Sequence, residues 1–460
     1  MVYLGRTKRI HFVGIGGIGM SGIAEVLLNL GFDVSGSDLK RTEITENLEK
    51  LGARISYGHE SENVHDSDVV VYSSAVNKTN PELVEAKKNA VPTIPRTEML
   101  AELMRLKFAV TVAGSHGKTT TTSLISSVLA EGGLDPTIVV GGKLRALSSN
   151  VRLGDSRYLV AEADESDGKF VQLPSSIAVI TNIDREHLDF YPDLEAIKDG
   201  FVEYASRVPF YGTVILCVDD PNIRSIMPRI RKRKLTYAID EPADLRGRVT
   251  KRDEMGCLFT VLDHDRELGE VRVGFPGDHY VQNTLAAVAV GMELDVPFEI
   301  IKRGIESFEG VGRRFEVKGE TRGVMVVDDY GHHPTEIAAT IRAARENLGK
   351  RVFVLFQPHR YTRTQALAEQ FGVCFDGAHA VFVTDIYPAG EEPIPGVSTD
   401  LLLETIKTHG NIEVFYSKSF EMMIDEVLRR VEDGDLVLTL GAGDIFRAGE
   451  LLLDRLEKEK

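Results

Sequence analysis

Short apolar runs alternate along this chain with stretches whose apolar positions recur every three to four residues. Residues 9–13 read as a strand, 21–30 as a helix, 33–36 as a second strand and 69–73 as a buried later strand. The pattern restarts at 108–113. It continues through a helical stretch at 121–130 and apolar runs at 158–161 and 177–181 to a helical stretch at 283–294. After a connector rich in glycine and arginine, Gly310-Val311-Gly312-Arg313-Arg314, it begins a third time, with runs at 324–327, 352–356, 380–384 and 436–440. Strands alternating with helices imply βαβ units and parallel sheets. The spacing predicts an α/β protein of three domains, 1–104, 105–313 and 314–460.

Composition agrees with several cores: 460 residues exceed what one core supports. The hydrophobic share of 43% and charged share of 27% are those of an ordinary globular protein. A net charge of −16 argues against a general binder of nucleic acid or of an anionic membrane surface. The one basic run, Arg229-Ile230-Arg231-Lys232-Arg233-Lys234, reads as a solvated face. Cys217, Cys257 and Cys374 lie far apart and form no CxxC, so neither a disulfide framework nor a thiolate metal cluster is expected, and a reducing cytosol fits. Gly14, Gly16, Gly17 and Gly19 interrupt the apolar stretch that follows Arg6, Lys8 and Arg9, and no later segment approaches about 20 uninterrupted apolar residues. Neither an export signal nor a membrane span is read, and a cytoplasmic protein is expected.

Four motifs carry chemistry. Gly14-Ile15-Gly16-Gly17-Ile18-Gly19 follows a strand and opens a helix, with Asp38 at the end of the next strand. Such glycines let backbone amides approach a diphosphate at a helix N-terminus. On this segment alone an NAD-dependent dehydrogenase, with Asp38 on a ribose, competes with a nucleotide-sugar site. The second motif is Gly114-Ser115-His116-Gly117-Lys118-Thr119-Thr120, between an apolar strand and a helix. Strand, GK[ST] loop and helix are the setting in which amides cradle phosphates, a lysine offsets their charge and a hydroxyl reaches Mg²⁺. It departs from the strict P-loop, because Val112 stands where the leading glycine belongs and Gly114 must supply the turn. The third motif, Glu162-Ala163-Asp164-Glu165-Ser166-Asp167, places carboxylates at a strand's C-terminal end, where a hard cation finds oxygen ligands. In the fourth, Thr181-Asn182-Ile183-Asp184 leads to His187, a candidate ligand beside that site.

Together these motifs resemble the ATP-binding centre of the Mur ligase family. His11 to Gly22 and Ser73-Ser74-Ala75-Val76 resemble the UDP-sugar domain of its L-alanine-adding branch. Asp328-Asp329-Tyr330-Gly331-His332-His333-Pro334-Thr335-Glu336 and Phe356-Gln357-Pro358-His359-Arg360-Tyr361-Thr362-Arg363 resemble that branch's C-terminal domain. The resemblance spans nearly the whole chain. It implies a Rossmann-like N-terminal domain binding the UDP-sugar, a central P-loop-type ATPase domain with a mainly parallel sheet, and a Rossmann-like C-terminal domain that binds the amino acid and closes.

Roles follow from the same resemblance. ATP and Mg²⁺ are the implied cofactors, UDP-N-acetylmuramate and L-alanine the substrates, and a monomer or weak homodimer the implied state. Lys118, Glu162, His187, His332 and Arg360 are the catalytic candidates, with Thr119, Glu162 and His187 holding two Mg²⁺ ions. ATP would meet residues 114–120, with His279, Asn283, Arg314 and Asp329. Gly14, Gly16, Gly17, Gly19, Asp38, Ser73 and Ser74 would serve the sugar nucleotide, and Tyr330, His359, Arg360 and Arg363 the alanine. The implied reaction is amide formation through an acyl phosphate, in peptidoglycan precursor synthesis and hence in cell shape and division. Three alternatives remain open on the sequence: a ligase that recycles a preformed murein peptide onto the same nucleotide sugar, a non-catalytic nucleotide-binding protein, and an NAD-dependent dehydrogenase; a folylpolyglutamate synthase shares the middle-domain chemistry but should lack the N-terminal nucleotide-sugar unit.

Overall fold

The structure, a computed structural model, describes residues 4–458 except 74, 106, 141–150, 189, 255, 410 and 411. The chain divides into two compact units: Met1–Ile183 with Ile197–Tyr237 and Ala286–Ser307, and Asp184–Ala196 with Ala238–Leu285 and Phe308–Lys460.

The first unit holds two largely parallel sheets. In one, the strands lie in the order Arg54–Tyr57, Asp33–Asp38, Arg9–Val13, Val69–Tyr72, Thr93–Pro95, each parallel to its neighbour. Period-two alternation sends Ile10, Phe12 and Val71 to a core shared with Ile23 and Leu27 of helix Ile18–Asn29, while Val13 and Val70 pack with Ala86 of helix Pro81–Lys88. Strand order reverses between Arg9–Val13 and Val69–Tyr72. The crevice at their carboxyl ends is therefore the topological switch point.

The other sheet centres on Phe108–Ala113, flanked by Tyr158–Glu162 on one side and Ile177–Ile180 on the other, all parallel. Thr213–Cys217 and Lys234–Ala238 extend one side and Thr137–Val139 the other. Covered on both faces, these strands read in the sequence as continuous apolar runs rather than alternations. Helix Lys118–Glu131 follows the central strand, so its entry loop occupies a second switch point. Its close approach to helix Phe298–Glu306 depends on Gly304, where a β-carbon would stand 2.8 Å from the Val128 Cα.

In the second unit a six-stranded sheet runs Glu316–Thr321, Val324–Asp329, Leu436–Leu440, Val352–Phe356, Ala380–Val383, Glu413–Tyr416. Only its first pair is antiparallel. The unit also contains an antiparallel meander, Leu245–Asp253, Gly256–Asp263 and Arg266–Val273, where the sequence placed no strands. The first of these buries only Leu245 and Gly247 before running into exposed Thr250, Lys251 and Arg252, too short an alternation to register as a pattern. Asn347, in helix Pro334–Leu348, donates to the carbonyls of Asp253 and Gly256 at 3.2 and 3.1 Å and ties helix to meander.

The α/β class holds throughout, and each helix of the motif regions begins earlier than its apolar pattern suggests: Ile18–Asn29, Lys118–Glu131 and Asp278–Glu293. The first turns carry glycine or polar residues, which hydrophobic periodicity cannot see. All three cysteines are buried thiols. Among the described residues no helix is long and apolar enough to cross a membrane.

Candidate functional site

At the first switch point the chain turns at Gly14, with φ +80°, and the loop is held from behind by the neighbouring strand. Gly14 and Ile15 donate their amides to the Ser37 carbonyl at 2.9 and 3.0 Å, and Gly16 donates to Asp38 Oδ2 at 2.8 Å. Asp38 Oδ1 accepts from the Lys40 amide at 3.3 Å, so the carboxylate braces the loop. Gly17 opens helix Ile18–Asn29 with no side-chain cap and no acidic residue in the first turn. That end carries the positive pole of the helix dipole toward an anion. Ser73 continues the neighbouring strand and lies against Gly14, where a β-carbon would meet the Ser73 Cβ at 3.8 Å. Ser74 lies outside the described residues.

Gly14, Gly16, Gly17, Gly19, Asp38 and Ser73 thus share one crevice. Arg96, which no motif indicated, joins them. A β-carbon on Gly19 would stand 1.9 Å from Arg96 Nη1, so the glycine makes room for the guanidinium. Among the described residues no carboxylate pairs with Arg96. Its one sequence signal, an arginine opening helix Arg96–Arg105 directly after the fifth strand, is too common to notice alone.

At the second switch point Gly114 takes φ +136°, and a β-carbon there would stand 2.1 Å from Thr181 Oγ1. Gly114 therefore does the work of the missing leading glycine, while Val112 is a buried strand residue. Thr181 and Asn182 pin the loop: their side chains donate to the His116 carbonyl at 2.6 and 3.0 Å, and Asn182 Oδ1 accepts from the His116 amide at 2.8 Å. Gly117, in the left-handed region at φ +80°, leads into the helix, and Ser115, Thr119 and Thr120 are buried.

Lys118 Nζ donates to the Gly114 carbonyl at 2.7 Å and lies 2.9 Å from both oxygens of Glu165, which is itself 2% exposed. Glu162 sits opposite Val112 in register, at the carboxyl edge of the sheet. Asp164 and Asp167 instead accept from the amides of Ser166 and Lys169, both at 3.0 Å, and shape the loop. Individual motif residues thus divide the labour: Glu162 at the edge, and Glu165 as counter-ion to the lysine, a role the spacing did not reveal.

The second unit gathers His187, His332, His359, Arg360 and Arg363. Arg363 Nη2 meets Glu186 Oε1 at 2.9 Å and its Nη1 lies 3.1 Å from His359 Nδ1. His332 Nδ1 lies 3.0 Å from the Tyr330 carbonyl, and its Nε2 3.8 Å from Glu186. Burial, with the Arg363 charge, holds His332 down at about 4 against the pull of Glu336 and Glu186. Burial and the charges of His332, Arg363 and Arg360 push His359 down to about 3. Both imidazoles are therefore neutral at pH 7, with a ring nitrogen able to accept a hydrogen bond. Arg360 takes φ +71° at the start of helix Tyr361–Ala366 and faces Glu391 at 3.9 Å. Arg185, Glu186, His187, Arg360, Thr362 and Arg363 line a cavity of 230 Å³, with room for a small amino acid. Glu186 was not singled out from the sequence; it lies 177 residues from the arginine it binds.

Nearby in the chain, Asp329 accepts from the Phe315 and Gly331 amides, each at 2.7 Å, and burial still raises it to about 6. The Arg314 guanidinium lies over the Tyr330 ring at 5.2 Å and 3.8 Å from Glu336. Its neighbour Arg313 is a clamp, bonded to Asp328 at 2.9 Å and to the carbonyls of Gly441 and Gly443. His279 and Asn283 stand one turn apart in helix Asp278–Glu293, and burial brings His279 down to about 4.

Three family models cover the chain: "Mur ligase family, catalytic domain" over residues 9–108, "Mur ligase middle domain" over 112–291 and "Mur ligase, glutamate ligase domain" over 313–443. A UDP-N-acetylmuramate--L-alanine ligase of Geotalea daltonii is 54% identical over 454 residues, 99% of either chain. One from Geobacter sulfurreducens is 53% identical over 458 residues, again 99% of either chain. A crystal structure of a UDP-N-acetylmuramate-alanine ligase from Thermotoga maritima aligns with a TM-score of 0.79 at 28% identity, over 99% of this chain and 100% of that one. A murein peptide ligase from Psychrobacter arcticus aligns with a TM-score of 0.69 at 22% identity, over 98% and 99%, which is a likeness of fold.

Proposed function

This chain belongs to the Mur ligase family, and on that premise we propose that it is an ATP-dependent ligase joining L-alanine to the carboxylate of UDP-N-acetylmuramate through an acyl phosphate, in peptidoglycan precursor synthesis. The geometry that carries this function is the second switch point. There a P-loop presents Lys118 and buried Thr119 beside the strand-end carboxylate Glu162. Hydride transfer has no use for that apparatus, and the dehydrogenase reading of the first glycine loop falls with it. The full-length identity to L-alanine ligases supports alanine, rather than a preformed peptide, as the second substrate.

Residues 1–104 take the UDP-sugar, 105–313 the ATP and 314–460 the amino acid. In the first crevice Gly14, Gly16, Gly17 and Gly19, having no side chains, let the UDP diphosphate approach the positive pole of helix Ile18–Asn29, Arg96 offsets its charge, and Asp38 and Ser73 shape the pocket; Ser74 is assigned to the same ligand on the family resemblance alone. In the second, the loop 114–120 holds the ATP phosphates. Lys118 exchanges Glu165 for the β/γ oxygens, where charge accumulates as the muramyl carboxylate attacks. The hydroxyl of Thr119 and the carboxylate of Glu162 are hard oxygen donors and fit Mg²⁺. When bound, the metal offsets the negative charge of two reacting anions. His187 is a further ligand.

His279, Asn283, Arg314 and Asp329 complete the ATP contacts. Arg360 and Arg363 grip the alanine carboxylate, which suits a guanidinium fork better than an ammonium. Tyr330, His332 and His359 complete that pocket, with His332 among the catalytic groups. A cytoplasmic location follows from the soluble, phosphorylated substrates, and a monomer or weak homodimer suffices for the chemistry. The test is coupled phosphate release with UDP-N-acetylmuramate, ATP and a panel of amino acids and peptides, with the product identified by mass. Alanine-dependent release giving UDP-N-acetylmuramoyl-L-alanine is expected. Product formed only with the preformed peptide overturns the alanine assignment.

A further inference from the structure

Behind the first glycine loop lies a set of titratable side chains that neither the motifs nor the proposed chemistry uses. Its hub is Glu82, 0% exposed, the second residue of helix Pro81–Lys88. Its Oε2 accepts from Ser37 Oγ at 2.7 Å and lies 3.0 Å from His59 Nδ1. Oε1 accepts from Asn63 Nδ2 at 2.7 Å and faces His11 Nε2 at 3.4 Å. Burial alone would push this carboxyl up, but the contacts from His11, Ser37 and Asn63 more than offset it and leave it below the usual range.

A buried carboxylate is a costly way to join two strands, a loop and a helix, because apolar packing of the same volume is commonly as stable or more so. What it supplies is a fixed geometry, since a buried carboxylate that accepts from Ser37 and Asn63 tolerates few arrangements of them. Here the fixed element is Ser37. Its hydroxyl is held by Glu82 while its carbonyl accepts both the Gly14 and Ile15 amides, and the next residue, Asp38, accepts the Gly16 amide. Glu82 is thus one residue removed from the Gly14 and Ile15 amides and two from that of Gly16.

We propose that Glu82 is a positioning residue for the nucleotide-sugar diphosphate: through the Ser37 hydroxyl it sets the end of strand Asp33–Asp38, and through the Ser37 carbonyl and Asp38 it holds the 14–16 loop open for the ligand. The inference rests on the UDP-sugar assignment above. The test compares Glu82→Gln, Ser37→Ala and the double variant with the parent, reading kcat and the KM values for UDP-N-acetylmuramate, ATP and alanine, with thermal melting alongside.

Glu82→Gln is expected to raise the KM for UDP-N-acetylmuramate about tenfold, the scale of one lost charge-assisted hydrogen bond, with kcat and the other two KM values held. Ser37→Ala should do the same to a smaller extent. The double variant should be no worse than Glu82→Gln alone, because both act through one hydrogen bond. If Glu82→Gln does not fold, Ser37→Ala carries the test by itself. An unaltered KM for the sugar nucleotide, additive effects, or a parallel fall in kcat and all three substrates' use overturns the inference while the proposed function stands. A parent protein that releases no phosphate with UDP-N-acetylmuramate and alanine overturns both.

Discussion

The two compact units of this molecule build their sites from different materials. In the first, two glycine loops at two switch points lead into helix poles, and neighbouring residues hold the loops through their backbone groups: Ser37 and Asp38 behind one, Thr181 and Asn182 behind the other. In the second, the site consists of side chains on side chains, with Arg363 on Glu186 and His359, and His332 on the Tyr330 carbonyl. Amides keep one charge state and are locked by the fold, so phosphate recognition is insensitive to pH and tied to short sequence motifs. Titratable side chains are moved first by burial and then by each other's charge. The second unit accordingly holds three histidines brought down to between about 3 and 4 and an aspartate raised to about 6.

If the first unit works through a few fixed charges over phosphate, removing one should be severe and narrow. Lys118→Ala is expected to lower kcat by roughly 10²–10³, the usual cost of a preorganised charge contact at a transition state. Calorimetric affinity for UDP-N-acetylmuramate should not change, because the proposed function assigns that ligand to the other switch point. Near-parental turnover would place the phosphate cradle elsewhere.

The second unit should show the opposite selectivity. Arg363→Ala should raise the KM for alanine by about 100-fold, since it removes the guanidinium fork and takes from the buried Glu186 its arginine partner. Arg363→Lys should recover only part, because a point charge does not reproduce the fork. Steady-state KM values for alanine and ATP, measured on the same preparations, decide; a change confined to ATP would move Arg363 to the nucleotide.

Arg96 tests the contrast inside the first unit. Arg96→Ala should weaken UDP-N-acetylmuramate about tenfold by calorimetry and leave ATP affinity alone. Parental affinity in that variant would mean that amides suffice for the diphosphate.

The smallest effect expected concerns pH. His279 is held at about 4, below its ordinary 6.5, so the unfolded chain takes up a proton that the folded chain refuses. Its contribution to stability is therefore complete above about 6.5 and is lost as pH falls toward 4. Asp329, raised to about 6, has the opposite sign and loses stability as pH rises from about 4 through 6. Melting curves between pH 7.5 and 4.5 should fall less steeply for His279→Gln than for the parent, and Asp329→Asn should make the acid-side fall steeper. Parallel curves for parent and His279→Gln would show that the histidine is not held neutral by the fold.

The two glycine loops were legible in the sequence because each is local. Gly14 to Gly19 and Gly114 to Thr120 each lie within one strand-turn-helix, and the left-handed turns at Gly14, Gly114 and Gly117 are what those glycines are for. The alternation of apolar runs and amphipathic stretches likewise established α/β architecture and its parallel sheets, because both faces of each sheet must be covered. The meander at 245–273 escaped because its two flanking strands are charged and weakly buried, which left the apolar run 257–262 between them without a recognisable strand neighbour.

Partners that meet only when strands are brought side by side were left to the tertiary structure. Lys118 and Glu165 are 47 residues apart, Ser37 and Glu82 45, and Arg363 and Glu186 177. Which carboxylate in 162–167 faces the lysine, which arginine stands over Gly19, and how far burial moves His332, His359 and Asp329 are set by neighbours supplied from other strands. Side-chain charge and hydrogen bonding act through space over a few ångströms, whereas periodicity and motif spacing report only on neighbours along the chain.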